Sequence, residues 1–141
     1  MKKGLGLFLA LVWVASVCGL AQAAEEGLAS KVIVYYFHGS FRCYTCNMME
    51  KYSREAMDTN FKQALDSGKL EFQAVNVEER DNRHFIQDYQ LYTKSLILSL
   101  VKDGQEIKAK NLDKIWEYAR DKQQCIDYVT QETKALLEEA K

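Results

Sequence analysis

The sequence predicts an α/β fold: one mixed β-sheet with helices on both faces. Two observations carry that reading. Two extended runs, at residues 31–37 and 70–77, are separated by a stretch of helical periodicity, and an Asp-Gly turn at 103–104 sits between two further extended segments. The first pair makes a parallel βαβ unit, because the crossover between them is right-handed. The second pair makes a hairpin that leads into a last helix, a C-terminal ββα unit.

Length and charge narrow the function classes. The 141 residues are 48% hydrophobic and 28% charged, with a formal net charge of −1, as expected of one ordinary globular domain. No basic stripe breaks that balance, so nucleic acid is excluded as a partner. Proline is absent altogether, although a frequency of about 5% would supply roughly seven.

Residues 1–23 read as a secretory signal peptide. Lys2 and Lys3 precede an uncharged apolar run, and Ala21-Gln22-Ala23 places small residues where a signal peptidase reads. Export, to the periplasm in a bacterial cell, follows from that reading, and residues 24–141 form the mature domain. The alternative is an uncleaved N-terminal membrane anchor, since the stretch 4–24 is uncharged and nearly long enough to span a bilayer. A lipid attachment at Cys18 is disfavoured by the branched Val17 before it. Outside the cytoplasm, thiols meet an oxidising environment in which disulfides persist.

The mature elements follow in order. Residues 31–37, Lys-Val-Ile-Val-Tyr-Tyr-Phe, suit a strand buried on both faces. Gly39 and Ser40 break the run, and from Tyr44 apolar residues recur every three or four positions through Cys46, Met49, Tyr52, Ala56 and Met57, which predicts a helix. Thr59 or Asn60 is expected to cap a second short helix carrying Phe61, Ala64 and Leu65, ended by Ser67-Gly68. Residues 70–77 alternate loosely as a strand, 79–90 predict a helix presenting Phe85, Ile86 and Tyr89, and 96–101 an apolar central strand. After Asp103-Gly104, residues 105–109 return antiparallel as a charged edge strand. Asn111 is expected to cap the final helix, whose buried stripe takes Leu112, Ile115, Trp116, Ala119, Cys125, Ile126, Val129 and Leu136.

The chemistry concentrates at Cys43-Tyr44-Thr45-Cys46, where a buried strand gives way to a helix. The first sulfur then lies beside the unsatisfied amides of a helix N-terminus, which favours a thiolate. Arg42 adds a neighbouring positive charge and Thr45 a hydroxyl, so Cys43 is expected to titrate low and to act as nucleophile. His38 is a further group able to approach that sulfur. Cys46, one turn deeper, is placed to attack a mixed disulfide formed at Cys43. Phe41 and Tyr44 flank the thiol and are candidate substrate contacts. Three alternatives stand beside this reading. The pair can be a structural disulfide, although so small a ring constrains the unfolded chain little. It can bind a soft monovalent metal or a metalloid, which needs only two or three thiolates. A closed zinc site would have to recruit His38 or His84 and a further distant group. Cys125, among Ile126 and Val129, reads as a small buried hydrophobe.

These residues resemble the thioredoxin-like superfamily: Val32-Ile33-Val34-Tyr35-Tyr36-Phe37, then Cys43-Tyr44-Thr45-Cys46 opening a helix, then Leu98-Ser99-Leu100-Val101-Lys102-Asp103-Gly104. More narrowly, Phe37-His38-Gly39 and the segment from Asn111 to Trp116 are similar to small exported bacterial thioredoxin-like proteins that carry the name of a nitrophenyl-compound nitroreductase subunit. The resemblance implies that Cys43 is the attacking cysteine and Cys46 the resolving one. Nothing resembles a flavin or nicotinamide site, so it implies thiol chemistry rather than nitroreduction. Three departures stand out. The family's cis-proline position falls at Leu96 or Ser95, which makes Leu96 a candidate substrate contact without the proline's presentation of the backbone. The tryptophan before the first cysteine is Arg42, and the buried acid of the first strand is Tyr36.

The sequence therefore predicts an exported thiol-disulfide oxidoreductase, with reduction of partner proteins as the favoured direction and no cofactor beyond the Cys43–Cys46 disulfide. Its expected partners are protein thiols and disulfides, with a membrane-embedded thiol donor supplying electrons, and the chain is expected to be a monomer. A soft-metal carrier using the same cysteines, and a non-catalytic interaction module, are the alternatives.

Overall fold

The computed structural model describes residues 30–141; the signal segment, its anchor alternative and Cys18 lie outside the described residues. Four strands form one sheet in the order β2-β1-β3-β4. Strand β1 spans Lys31–His38, β2 Leu70–Asn76, β3 Ser95–Lys102 and β4 Gln105–Asn111. β1 pairs parallel with β2 and antiparallel with β3, and β3 pairs antiparallel with β4. This is the predicted mixed sheet, a βαβ unit joined to a ββα unit, and it has the strand order of a thioredoxin-like core.

Period-two alternation in β1 and β3 sends two sets of side chains to opposite faces. Val32, Val34 and Tyr36, with Leu96, Leu98 and Leu100, meet Met49, Ala56 and Met57 of α1 (Tyr44–Asn60) and Cys125, Val129 and Leu136 of α5 (Lys122–Glu139) in the main core. Each fully buried aliphatic side chain there contributes about 1.5–3 kcal/mol. On the other face Phe37, Val75 and Ile97 pack with Tyr35, Phe85 and Tyr89 under α3 (His84–Asp88). Helices thus lie on both faces, but one face holds two long helices and the other a five-residue one.

Asp103 and Gly104 both have positive φ, 52° and 76°, as a two-residue hairpin of the twist-compatible type requires. Four local expectations are corrected. Asn60 caps nothing: α2 (Lys62–Asp66) begins after Phe61 without a side-chain cap, and the Asn60 amide donates instead to the Ala56 carbonyl and to Thr130 on α5. Residues 79–90 are not one helix but a 3-10 turn (Arg80–Asn82) followed by α3, which ends at Asp88, with Gln90 two residues beyond it at a φ of 50°; Ile86 turns outward. Asn111 opens no helix, because it belongs to β4 opposite Ile97, and the next amide, Leu112, bonds back to the Leu96 carbonyl. The last helix is consequently split into α4 (Ile115–Tyr118) and α5, with Asp121 capping α5 through the Gln124 amide. Trp116 leaves the predicted buried stripe: it is exposed and donates its indole N–H to the Lys94 carbonyl at 3.1 Å.

Candidate active site at the start of helix α1

Strand β1 runs up the middle of the sheet and delivers the chain to its C-terminal edge, where residues 39–42 turn into α1. Three hydrogen bonds tie that turn to the end of β2: the Val77 amide donates to the His38 carbonyl at 2.9 Å, the Ser40 amide to Glu78 Oε2 at 3.1 Å, and the Asn76 amide group to Ser40 Oγ at 3.3 Å. The bonds from Ser40 hold the Glu78 carboxyl below the usual carboxylate range. A Cβ at Gly39 would meet Glu78 Oε1, the far end of a flexible side chain, which would have to move aside.

Cys43 is the N-cap of α1, with extended backbone at φ −75° and ψ 166°. Its carbonyl accepts from the Asn47 amide at 3.0 Å, and its sulfur accepts from the Cys46 amide at 3.2 Å, the role an oxygen plays in an ordinary cap. Cys43 and Cys46 form a disulfide with their Cα atoms 5.1 Å apart. The two sulfurs are not equivalent in access. Cys43 is half-buried, whereas Cys46 is 1% exposed beneath it.

The buried end of the pair rests on Tyr36, whose hydroxyl donates to the Cys46 carbonyl at 2.7 Å. Burial pushes the Tyr36 phenol up to about 12, more than Arg42 lowers it, so at neutral pH it is a fixed donor rather than a base. Arg42 is not a free cation beside the sulfur. Its guanidinium forms an ion pair with Glu50, 5.7 Å from the centre of the Tyr36 ring. Glu50 also takes Arg54 at 3.2 Å, and Arg54 lies 4.5 Å over the ring of Phe72 on β2. Burial works against the Glu50 carboxylate, but the hydrogen bonds from Arg42 and Arg54 outweigh it and hold the group ionised, below its usual range. The expected donation from Thr45 is not made; the sulfur's donor is the Cys46 amide. His38 Nδ1–H is spent on the Gly39 carbonyl at 2.9 Å.

The candidate contacts divide sharply. Phe41 and Tyr44 flank Cys43 with 77% of each exposed, while Leu96 is fully buried, opposite Tyr36 in the sheet, and offers a partner no side-chain surface. Antiparallel pairing of β1 with β3 and of β3 with β4 brings two more exposed aromatics to this same end, Tyr92 just before β3 and Trp116 just after β4. A small cleft of about 160 Å³ lies there between His38-Gly39 and Tyr92-Thr93. Among the described residues no group of three or more His, Cys, Asp or Glu side chains gathers as a metal cage. Cys125 is fully buried on α5, and burial pushes its thiol up to about 11.

The sequence pointed to Cys43, Cys46, Phe41, Tyr44, Leu96, Arg42, Thr45 and His38, and to Tyr36 only as the replacement of a buried acid; it gave Glu50 no part in the site. The signal for Glu50 was present as a Glu50–Arg54 pair at helical i,i+4 spacing; its contact with Arg42 is a product of the turn.

No family model matches the chain, and no curated protein matches it. Among solved structures it is similar to Trxlp from Edwardsiella tarda, at 18% identity over 71% of this chain and 82% of that one, with a TM-score of 0.45. It is also similar to thioredoxin of Fasciola hepatica, at 22% identity over 64% and 79% with a TM-score of 0.34. A third likeness is to a malarial protein, at 18% identity over 57% and 80% with a TM-score of 0.39. The fold assignment rests on the strand order and the pairing directions above.

Proposed function

We propose that this chain is an exported thiol-disulfide oxidoreductase that reduces disulfides of partner proteins. The observation that carries the reading is the asymmetry of the pair: an accessible Cys43 whose sulfur caps a helix, over a buried Cys46 within disulfide distance. The Cys46 amide and the helix N-terminus favour negative charge on Cys43 once the disulfide is reduced.

In the reducing direction the Cys43 thiolate attacks one sulfur of a partner disulfide. A Cys43–partner mixed disulfide forms, and the second partner sulfur leaves as a thiolate and takes a proton from solvent. Cys46 then loses its proton and attacks Cys43 Sγ, which closes the ring and releases the first partner sulfur as a thiol. The partner gains two electrons and two protons, and the Cys43–Cys46 pair is oxidised by the same amount. Tyr36 does not take the Cys46 proton, since its hydroxyl is already protonated and is committed to the Cys46 carbonyl. Solvent or the leaving thiolate takes it. Phe41 and Tyr44 supply the apolar rim against which a partner lies. A membrane-embedded thiol donor returns the electrons, and the leader-like residues 1–23 support a location outside the cytoplasm. The proposal stops at thiol chemistry and does not extend to nitroreduction.

Replacing Cys46 tests the assignment. Cys46→Ser leaves the mixed disulfide unresolved, so it is expected to accumulate covalent, reductant-sensitive adducts with partner proteins. Cys43→Ser is expected to accumulate none. Adducts formed equally through either cysteine, or through neither, would count against Cys43 as the attacking residue and Cys46 as the resolving one.

A further inference from the structure

Arg42 precedes Cys43 in the chain, and its charge is engaged. The guanidinium is ion-paired with Glu50, and its Nε is buried without a partner among the described residues. Glu50 is 18% exposed and is held twice: its second oxygen accepts from Arg54, which in turn is stacked over Phe72 of β2. The sheet edge therefore fixes Arg54, Arg54 fixes Glu50, and Glu50 fixes the side chain that precedes Cys43.

We propose that Glu50 is a positioning residue that biases the Cys43–Cys46 pair toward the disulfide by holding and neutralising the Arg42 guanidinium. The inference rests on the thiol-disulfide reading above and supplies a physical reason for its reducing direction. Reduction of the disulfide by two electrons and two protons gives Cys46 as a thiol, while the proton of Cys43 passes to solvent when its thiolate forms. Any cation near Cys43 stabilises that thiolate, hence the reduced form, and makes the pair a stronger oxidant. A carboxylate clamped on that cation cancels the effect and leaves the dithiol the readier donor. Arg54 does not restore the lost charge at Cys43, because it lies a further helical turn along α1 with its own aromatic partner.

The test is the equilibrium of each purified variant with a graded thiol/disulfide buffer, read by alkylation mass shift. Glu50→Gln keeps the shape of the side chain and removes its charge. It is expected to move the equilibrium toward the dithiol by on the order of fivefold, the size of one unit charge screened close to the dielectric of water. Arg42→Gln is expected to move it toward the disulfide or leave it at the wild-type value. In the double variant Glu50→Gln is expected to have lost most of its effect, because Glu50 acts through Arg42. A Glu50→Gln equilibrium equal to wild type, or a full Glu50→Gln shift persisting without Arg42, overturns the proposal. Should Glu50→Gln fail to fold, Arg42→Gln decides alone, since a shift toward the dithiol would contradict the sign. Absence of a reversible transition in the wild-type protein would instead sink the oxidoreductase reading itself, and this inference with it.

Discussion

The Tyr36 hydroxyl, on a side chain with no solvent exposure, donates to the Cys46 carbonyl at 2.7 Å and so joins the middle strand of the sheet to the second cysteine of the CxxC pair. The buried cysteine is therefore held from below by the core and from above by its bond to Cys43.

Removing only that hydroxyl isolates its contribution. Tyr36→Phe keeps the ring in the core and leaves the carbonyl with one donor fewer, at an expected cost of about 1 kcal/mol. Urea unfolding of the oxidised protein is expected to show a lower midpoint at an unchanged slope. A midpoint equal to wild type would mean that the bond contributes nothing net.

The same burial predicts an alkaline limit. Tyr36 and Tyr128 are each pushed from 10.0 up to about 12, in both cases chiefly by burial, and Cys125 from 9.0 up to about 11. A folded value above the unfolded one means stability fully present below the unfolded value and lost as pH rises through the folded one. Conformational stability is expected to fall from about pH 9 as Cys125 titrates, and more steeply between about 10 and 12. In the reduced native protein at about pH 8, below the ordinary thiol range, an alkylating reagent is expected to leave Cys125 unlabelled until denaturant is added. Stability flat to about pH 12, or ready labelling of Cys125, would contradict its placement.

Phe41, Tyr44 and Leu96 separate surface from core. Phe41→Ala and Tyr44→Ala are expected to leave stability within about 0.5 kcal/mol of wild type, while slowing disulfide exchange with a protein partner more than with a small disulfide. Leu96→Ala opens a cavity under Tyr36 and is expected to cost about 2–5 kcal/mol. Equal slowing of both substrates by the Phe41 and Tyr44 variants would remove them as partner contacts.

Gly39→Ala tests the latch on the turn before Cys43. The added Cβ displaces the Glu78 carboxylate, which then releases the Ser40 amide. Faster hydrogen exchange at the Ser40 amide and slower mixed-disulfide formation at Cys43 are expected, with the fold retained. Unchanged exchange at Ser40 would show that the carboxylate does not fix the turn.

The sequence made legible what depends on near neighbours. The hairpin follows from Asp103-Gly104, the central strands from their apolar runs, and the cap position of Cys43 from a buried strand giving way to a helix after the Gly39-Ser40 break. What it concealed depends on long-range partners. Asn111 is a good cap residue by chemistry but is captured by pairing with Ile97, and its role passes to Asp121. Arg42 looked like a thiolate-stabilising charge because its neighbour in sequence is Cys43, while its partner in space is Glu50. Tyr36 looked like the loss of a buried acid; its place as a donor to the Cys46 carbonyl is a contact between β1 and α1 that no local pattern announces.

In the proposed function Cys43 and Cys46 exchange electrons as a pair. The most direct measurement equilibrates the metal-free mature protein in buffers of graded thiol/disulfide ratio and counts the Cys43–Cys46 disulfide by alkylation mass shift. One reversible two-electron transition is expected, with a potential below roughly −200 mV for a reductant. A potential well above that value would reverse the direction of electron flow, and a pair locked in one state across all ratios would contradict the claim that it is catalytic.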